Sequence, residues 1–263
     1  MTTLSVAISP CPNDTFIFGA WILGHAPAPA GLDSRFLWHD VQELNQGALD
    51  NAWDVIKVSA ATALRLTDTH SILSCGGAFG LEHGPKLVTR KGFSGMPRTI
   101  AVPGLDTTAM LILRSAMGEE FTPVPMIFHA VVEAVRSGLV EAGLLIHETA
   151  LVYARYGLHL HTDLGSWWKD RTGGLPLPLG CILARKSLPD EILSAIEKTI
   201  RASILHARSH PSDIMPLVAS LARELDGDTL AQHIEAYVND YSLNMGPDGQ
   251  AALDTLQTFR TQP

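Results

Sequence analysis

Leu4-Ser5-Val6-Ala7-Ile8-Ser9-Pro10-Cys11-Pro12-Asn13-Asp14-Thr15 opens the chain with a short apolar run, a proline-stiffened loop and the start of a helical pattern. A buried strand that passes directly into a helix is the first half of a crossover unit, the connection that parallel strands require. The same order recurs at Ser34 to His39, followed by a helix start at Asp40-Val41-Gln42-Glu43, and at Val55 to Val58, followed by Ala-rich sequence from Ala60. Leu87 to Thr89, Thr99 to Val102 and Glu141 to Ile146 supply further strands. Strands alternating with helices predict an α/β fold with mixed, mostly parallel sheets. The first helix is expected to open at Asn13-Asp14-Thr15, the next behind an Asp40 cap.

Two stretches interrupt this order. Leu87 through Pro97 carries Lys91, Gly92, Gly95 and Pro97 between apolar strands, the composition of a crossing between lobes, and Thr172 to Gly180 precedes a strand at Cys181 to Ala184. Two crossings predict two lobes with a cleft between them: residues 1–89 with 184–263, and residues 90–183. Beyond Pro189 helices are expected over Glu191 to Ala207, Pro211 to Leu225, Asp228 to Val238 and Pro247 to Phe259. Ligands of α/β sheets bind at the carboxyl ends of parallel strands, so the cleft is the expected site.

The 263 residues are 46% hydrophobic and 17% charged, with a formal charge of −8, and no Lys/Arg cluster offers a phosphate track. Nucleic acid is therefore excluded as a partner, and an anionic ligand must be held by local donors rather than by long-range attraction. The longest apolar stretch, Thr15 to Leu23, is too short to span a bilayer, so no membrane association is expected. Cys11, Cys75 and Cys181 are odd in number and widely spaced, which fits a reducing compartment, and no secretory leader precedes Leu4. A cytoplasmic monomer or homodimer acting on a small-molecule carboxylate is expected.

Four loops carry candidate chemistry. Asn13 and Asp14 either cap the first helix or offer amide and carboxylate groups to a ligand. Lys57-Val58-Ser59 ends a strand, where Ser59 as a helix cap and a solvated Lys57 is the plain alternative to a carboxylate site. Pro103-Gly104-Leu105-Asp106-Thr107-Thr108-Ala109 precedes an apolar helix, so Thr107, Thr108 and Ala109 present amides and two hydroxyls at its positive end. The loop lacks the Lys of a phosphate-binding loop, which favours a carboxylate, though capping by a Thr accounts for it equally. His147 follows the strand ending at Ile146, and its near-neutral pKa suits a general base. His147-Glu148 is not a metalloprotease pair, because Leu occupies position 151. His159 and His161 share a strand face without a third ligand nearby, so no metal is expected. Trp167 and Trp168 are read as core or as a cleft wall, and Glu82-His83-Gly84-Pro85 as a turn.

Ser9-Pro-Cys-Pro-Asn-Asp-Thr-Phe-Ile-Phe18, Thr107-Thr-Ala109, Ala142-Gly-Leu-Leu-Ile-His-Glu148, Arg155-Tyr-Gly-Leu158, Arg171-Thr-Gly-Gly-Leu-Pro-Leu-Pro-Leu-Gly180, Tyr237-Val-Asn239 and Tyr241-Ser-Leu-Asn244 together resemble the 1,4-dihydroxy-6-naphthoate synthase family. The resemblance runs along essentially the whole chain. It implies a two-lobed, periplasmic-binding-protein type II-like fold, and conversion of cyclic dehypoxanthinyl futalosine to 1,4-dihydroxy-6-naphthoate in menaquinone biosynthesis without metal or organic cofactor. It implies His147 as catalytic base, with Lys57, Val58, Ser59, Thr108 and Ala109 contacting substrate. Chorismate dehydratase, on the same fold and in the same pathway, and a small carboxylate-binding protein are the rival readings. The Ser9 to Thr15 motif favours the synthase over the dehydratase.

Overall fold

The computed structural model describes residues 3–29, 32–222 and 227–261. The chain begins with β1 (Thr3–Ile8), α1 (Pro12–Ile22), β2 (Asp33–Trp38), α2 (Val41–Leu49), β3 (Val55–Ser59), α3 (Ala60–Ala63), β4 (His70–Ile72) and β5 (Ala78–Gly80). It continues through β6 (Lys86–Arg90), β7 (Thr99–Val102), α4 (Thr108–Met117), β8 (Thr122–Pro125), α5 (Ala130–Ser137), β9 (Ala142–Leu145), α6 (His147–Val152), β10 (Leu158–Asp163) and α7 (Leu164–Thr172). It ends with β11 (Leu177–Arg185), α8 (Asp190–Ser209), α9 (Pro211–Leu221), α10 (Gly227–Tyr237), α11 (Asp240–Leu243) and α12 (Gly246–Thr261).

The strands form two sheets, one ordered β2-β1-β3-β11-β4 with β5 also on β11, the other ordered β10-β6-β9-β7-β8. β1, β2 and β3 are parallel, as are β7, β8 and β9. β11 and β6 run antiparallel to every neighbour. The sheets are therefore mixed, and parallel only in the half of each that crossover helices build. The strands that carry the chain from one sheet to the other return against the grain.

That geometry moves the crossings from where composition put them. Leu87 to Thr89, expected in the first lobe, lies in β6 of the second sheet, so the chain changes sheets across Leu81 to Pro85. Lys91 to Pro97 is a loop between two strands of that same sheet. The return falls between α7 and β11, and β11 begins at Leu177 rather than at Cys181. The first crossing is tight: a Cβ on Gly84 would stand 2.6 Å from the Gly165 Cα, so only glycine fits there.

Side-chain alternation sorts the core into three layers. Val6 and Ile8 face outward onto Phe18, Ile196, Ile200 and Ile204, while Ala7, Ile56 and Val58 face the opposite way. Val88, Ala101 and Leu145 pack on α5 at the far side of the second sheet. The inner layer is continuous across the lobes, joining Leu44, Ile56 and Val58 to Leu87, Ile100, Val102 and Leu113. The C-terminal helices follow their Pro and Asp starts closely, except that α9 ends at Leu221, and Leu225 lies outside the described residues. Among the described residues no helix is long and apolar enough to cross a membrane.

Candidate active site

A cleft enclosing about 730 Å³ of space, part of it open to solvent, lies between the sheets. Asn13, Asp14, Lys57, Val58, Ser59, Thr107, Thr108, Ala109 and His147 all line it. Loops read separately in the sequence therefore converge on one space. Leu44, Ile146, Leu179, Gly180 and Tyr237 add walls. A second cavity, of about 910 Å³, adjoins the first and shares Ser9 and His147 with it.

The loop after β1 forms the floor. α1 opens at Pro12, one residue before the expected start, with Cys11 at its cap position and no side-chain cap bond. Asn13 and Asp14 thus belong to the first turn and are not its cap. Asp14 is buried and fully engaged: one carboxylate oxygen accepts from Ser9 Oγ at 2.7 Å, the other from Asn13 Nδ2 at 2.8 Å and Lys57 Nζ at 2.6 Å. Lys57 is likewise buried, which overturns its reading as a solvated side chain. Its stem passes over Gly180, where a Cβ would stand 2.8 Å from Lys57 Cε.

Ser59 does not cap α3 through its side chain. Instead Asn45, fully buried on α2, donates to Ser59 Oγ at 3.1 Å and accepts from the Ser59 amide at 2.9 Å. Sequence reading missed Asn45. Its trace was a polar residue beside Leu44 on the apolar face of a helix that Asp40 and Glu43 begin with a reciprocal capping box.

At the head of α4 the capping reading is realised by Thr107. Thr107 Oγ1 accepts from the Met110 amide at 3.1 Å and donates to the Gly104 carbonyl at 3.0 Å. Thr108 Oγ1 accepts from the Ala61 amide at 3.1 Å and donates to the Leu179 carbonyl at 3.0 Å, tying the lobes together. The two hydroxyls expected to meet the ligand are thus occupied. The amides of Thr108 and Ala109, in the first helical turn, have no intrahelical acceptor, the arrangement that suits helix N-termini to anions.

His147 starts α6 with φ of 53°, one of only two non-glycine residues at positive φ among the described residues. The left-handed region costs an ordinary residue on the order of 1 kcal/mol or more, and such conformations gather at functional sites. The half-buried ring packs edge-on against Phe128 at 5.1 Å and lies nearly parallel to His233 at 6.3 Å. Burial pushes its pKa below the usual histidine value, against the pull of Glu148 and Asp14 in the other direction. The imidazole therefore stays neutral, and able to accept a proton, below the pH at which free histidine charges.

Other candidates fall away from the cavity. Trp168 is buried, donates to the Leu175 carbonyl at 2.9 Å and packs on Phe259, as core. His161 contacts the Gly95 carbonyl at 3.2 Å, on the outer edge of the second sheet. Among the described residues one group is placed to share a metal ion, His25, His206 and Asp213, and none of the three lines the cavity.

Residues 4–261 match the family model described as menaquinone biosynthesis. A protein of Thermus thermophilus named 1,4-dihydroxy-6-naphtoate synthase is 39% identical over 257 residues, spanning 97% of this chain and 93% of the relative. One of Streptomyces coelicolor with the same name is 41% identical over 262 residues, spanning 97% and 92%. A solved structure from Archaeoglobus fulgidus matches with a TM-score of 0.93 at 35% identity, covering 98% of this chain and 96% of that one. The periplasmic aliphatic sulphonate binding protein of Escherichia coli matches at a TM-score of 0.66 and 10% identity, over 99% and 88%. That last likeness concerns the fold alone, the two-lobed periplasmic-binding-protein architecture.

Proposed function

The chain belongs to the menaquinone-biosynthesis family, and on that premise we propose that it is a carbon–carbon lyase converting cyclic dehypoxanthinyl futalosine to 1,4-dihydroxy-6-naphthoate. The observation that carries the reading is the place of His147, at positive φ where the two cavities meet and in the same cleft as the α4 N-terminus. The amides of Thr108 and Ala109 hold the substrate carboxylate, and Val58 and Leu44 cover the ring system. Lys57 and Ser59 fix its polar edge. The adjoining cavity receives the ribose-derived portion.

His147 takes the proton of a substrate hydroxyl. The electron pair left on that oxygen forms a carbonyl as the neighbouring carbon–carbon bond breaks, and the bond's own pair passes to the other fragment, which takes up the proton that His147 holds. Tautomerisation, in which the ring loses a C–H proton as its carbonyl oxygen gains one, then completes the aromatic naphthoate and draws the sequence forward. General-base help supplies roughly 10²–10⁴-fold, and fixing the carboxylate in a cleft closed to water supplies the rest. The route invokes neither metal nor organic cofactor. We place the protein in the cytoplasm, as a monomer or homodimer.

The test is product analysis by mass spectrometry after separate incubation with cyclic dehypoxanthinyl futalosine and with chorismate. The naphthoate from the first substrate supports the synthase. Enolpyruvyl-benzoate from chorismate would make the chain a dehydratase, and tight binding of either without turnover a binding protein.

A further inference from the structure

Behind His147 two buried polar atoms face each other without a partner. His233 on α10 is fully buried and Glu148 on α6 nearly so, and neither His233 Nδ1 nor Glu148 Oε2 makes a hydrogen bond, although they stand 3.7 Å apart. α10 belongs to the C-terminal helices of the first lobe and α6 to the second, so the pair spans the cleft's back wall.

The protonation of His233 follows from its surroundings. Asn13 donates its Nδ2 to the Asp14 carboxylate at 2.8 Å, which fixes the amide and turns Oδ1 toward His233 Nε2 at 3.0 Å. An oxygen there accepts, so Nε2 carries the hydrogen and a neutral ring has its lone pair on Nδ1. Glu148 Oε2 stands 3.7 Å from that nitrogen. Two buried acceptors this close repel unless one hydrogen lies between them.

We infer that His233 and Glu148 hold one proton between them, joining the lobes behind His147, and that this shared proton positions His147 and sets its readiness to accept. This rests on the proposed role of His147 as base. Glu148 is its chain neighbour, so a shared proton that draws the two atoms in from 3.7 Å to hydrogen-bond distance anchors the left-handed turn on which His147 sits. The other ionisable groups facing His233 are His147, stacked at 6.3 Å, and Tyr237, edge-on at 5.0 Å, with the Lys57–Asp14 pair one hydrogen bond further through Asn13. Burial and His147 push His233 well below the usual histidine range.

The pair is tested on the whole protein by ¹⁵N imidazole spectroscopy, which needs no substrate, together with Glu148→Gln and Glu148→Ala. His233 is expected to show hydrogen on Nε2 and a hydrogen-bonded Nδ1, a signature kept in Glu148→Gln, whose amide also donates, and lost in Glu148→Ala. With substrate, Glu148→Gln should change KM less than about 3-fold yet displace the pH profile of kcat, whereas Glu148→Ala should lower kcat at least about 30-fold. An Nδ1 signal that does not respond to Glu148→Ala would overturn the shared proton. A kcat profile unmoved in Glu148→Gln would overturn its role in setting His147. Failure of the protein to turn over the futalosine substrate would leave the spectroscopic result standing and would count against the lyase reading alone.

Discussion

Lys57 Nζ lies 2.6 Å from Asp14 Oδ1, and both residues are buried where strand β3 and the first turn of α1 meet under the cleft. Taking two charges from water is repaid only by close geometry and by partners for the remaining lone pairs, which Ser9 and Asn13 provide. Removing one partner leaves the other buried and uncompensated. Lys57→Met should therefore cost roughly 3–5 kcal/mol. Adding Asp14→Asn should recover much of that loss, because no bare charge remains, without restoring turnover. Urea unfolding of the two single variants and the double variant closes the cycle, and a loss in the double variant equal to the sum of the two single losses would show the ion pair to be energetically idle.

The proposed role of His147 as base makes predictions for both rate and pH dependence. As the base it must be neutral, and its lowered pKa keeps it so as the pH falls. The acid limb of kcat/KM should accordingly lie below pH ~6.5, the value of an unperturbed histidine. His147→Ala should lower kcat by about 10²–10⁴-fold with little change in KM. His147→Gly, which relieves the left-handed strain, should be as inactive yet more stable than the Ala variant by about 1 kcal/mol. An alanine variant with full turnover would remove His147 from the chemistry.

Much of this site was legible in the sequence because its information is local. A strand, a stiff loop and a helix start can each be read within a dozen residues, and such joints are where α/β folds place their chemistry. What was not legible depends on distant partners. Asn45 meets Ser59 across 14 positions and His233 meets Asn13 across 220, so neither announces itself by spacing. The first lobe crossing was misplaced because Gly and Pro mark a turn without saying which sheet the next strand joins. β4 and β5 are three residues each, too short to show a period, and β8 carries two prolines that only an edge strand tolerates.

The cysteines offer a test that is independent of activity. Cys11, Cys75 and Cys181 are all buried and free, and burial raises each thiol, Cys75 and Cys181 to about 12. Thiolate is the reactive form, so native protein at pH 8 should react with a thiol reagent far more slowly than a free cysteine. Unfolding in guanidinium should release all 3. Rapid labelling of one thiol in the native state would place Cys11, beside the cleft, in an open conformation.

Asn45 separates binding from chemistry. Its side chain holds both the amide and the hydroxyl of Ser59, and it reaches the Asp106 carbonyl at 3.4 Å, so it fixes a first-lobe site residue against the loop that leads to α4. Asn45→Ala leaves the buried Ser59 amide without its acceptor, a loss of about 1–3 kcal/mol in stability. Asn45→Asp keeps the acceptor for that amide but cannot donate to Ser59 Oγ, and places a charge near Asp106. If Ser59 orients the substrate, both variants should raise KM while His147 and the bond-breaking step are untouched, so kcat should fall less than 3-fold as KM rises roughly tenfold, which is about 1.4 kcal/mol. Stopped-flow binding and steady-state rates measured together make the distinction. A loss confined to kcat would mean that Asn45 acts on the geometry of the transition state, through Asp106 and the head of α4, and that Ser59 is a bystander.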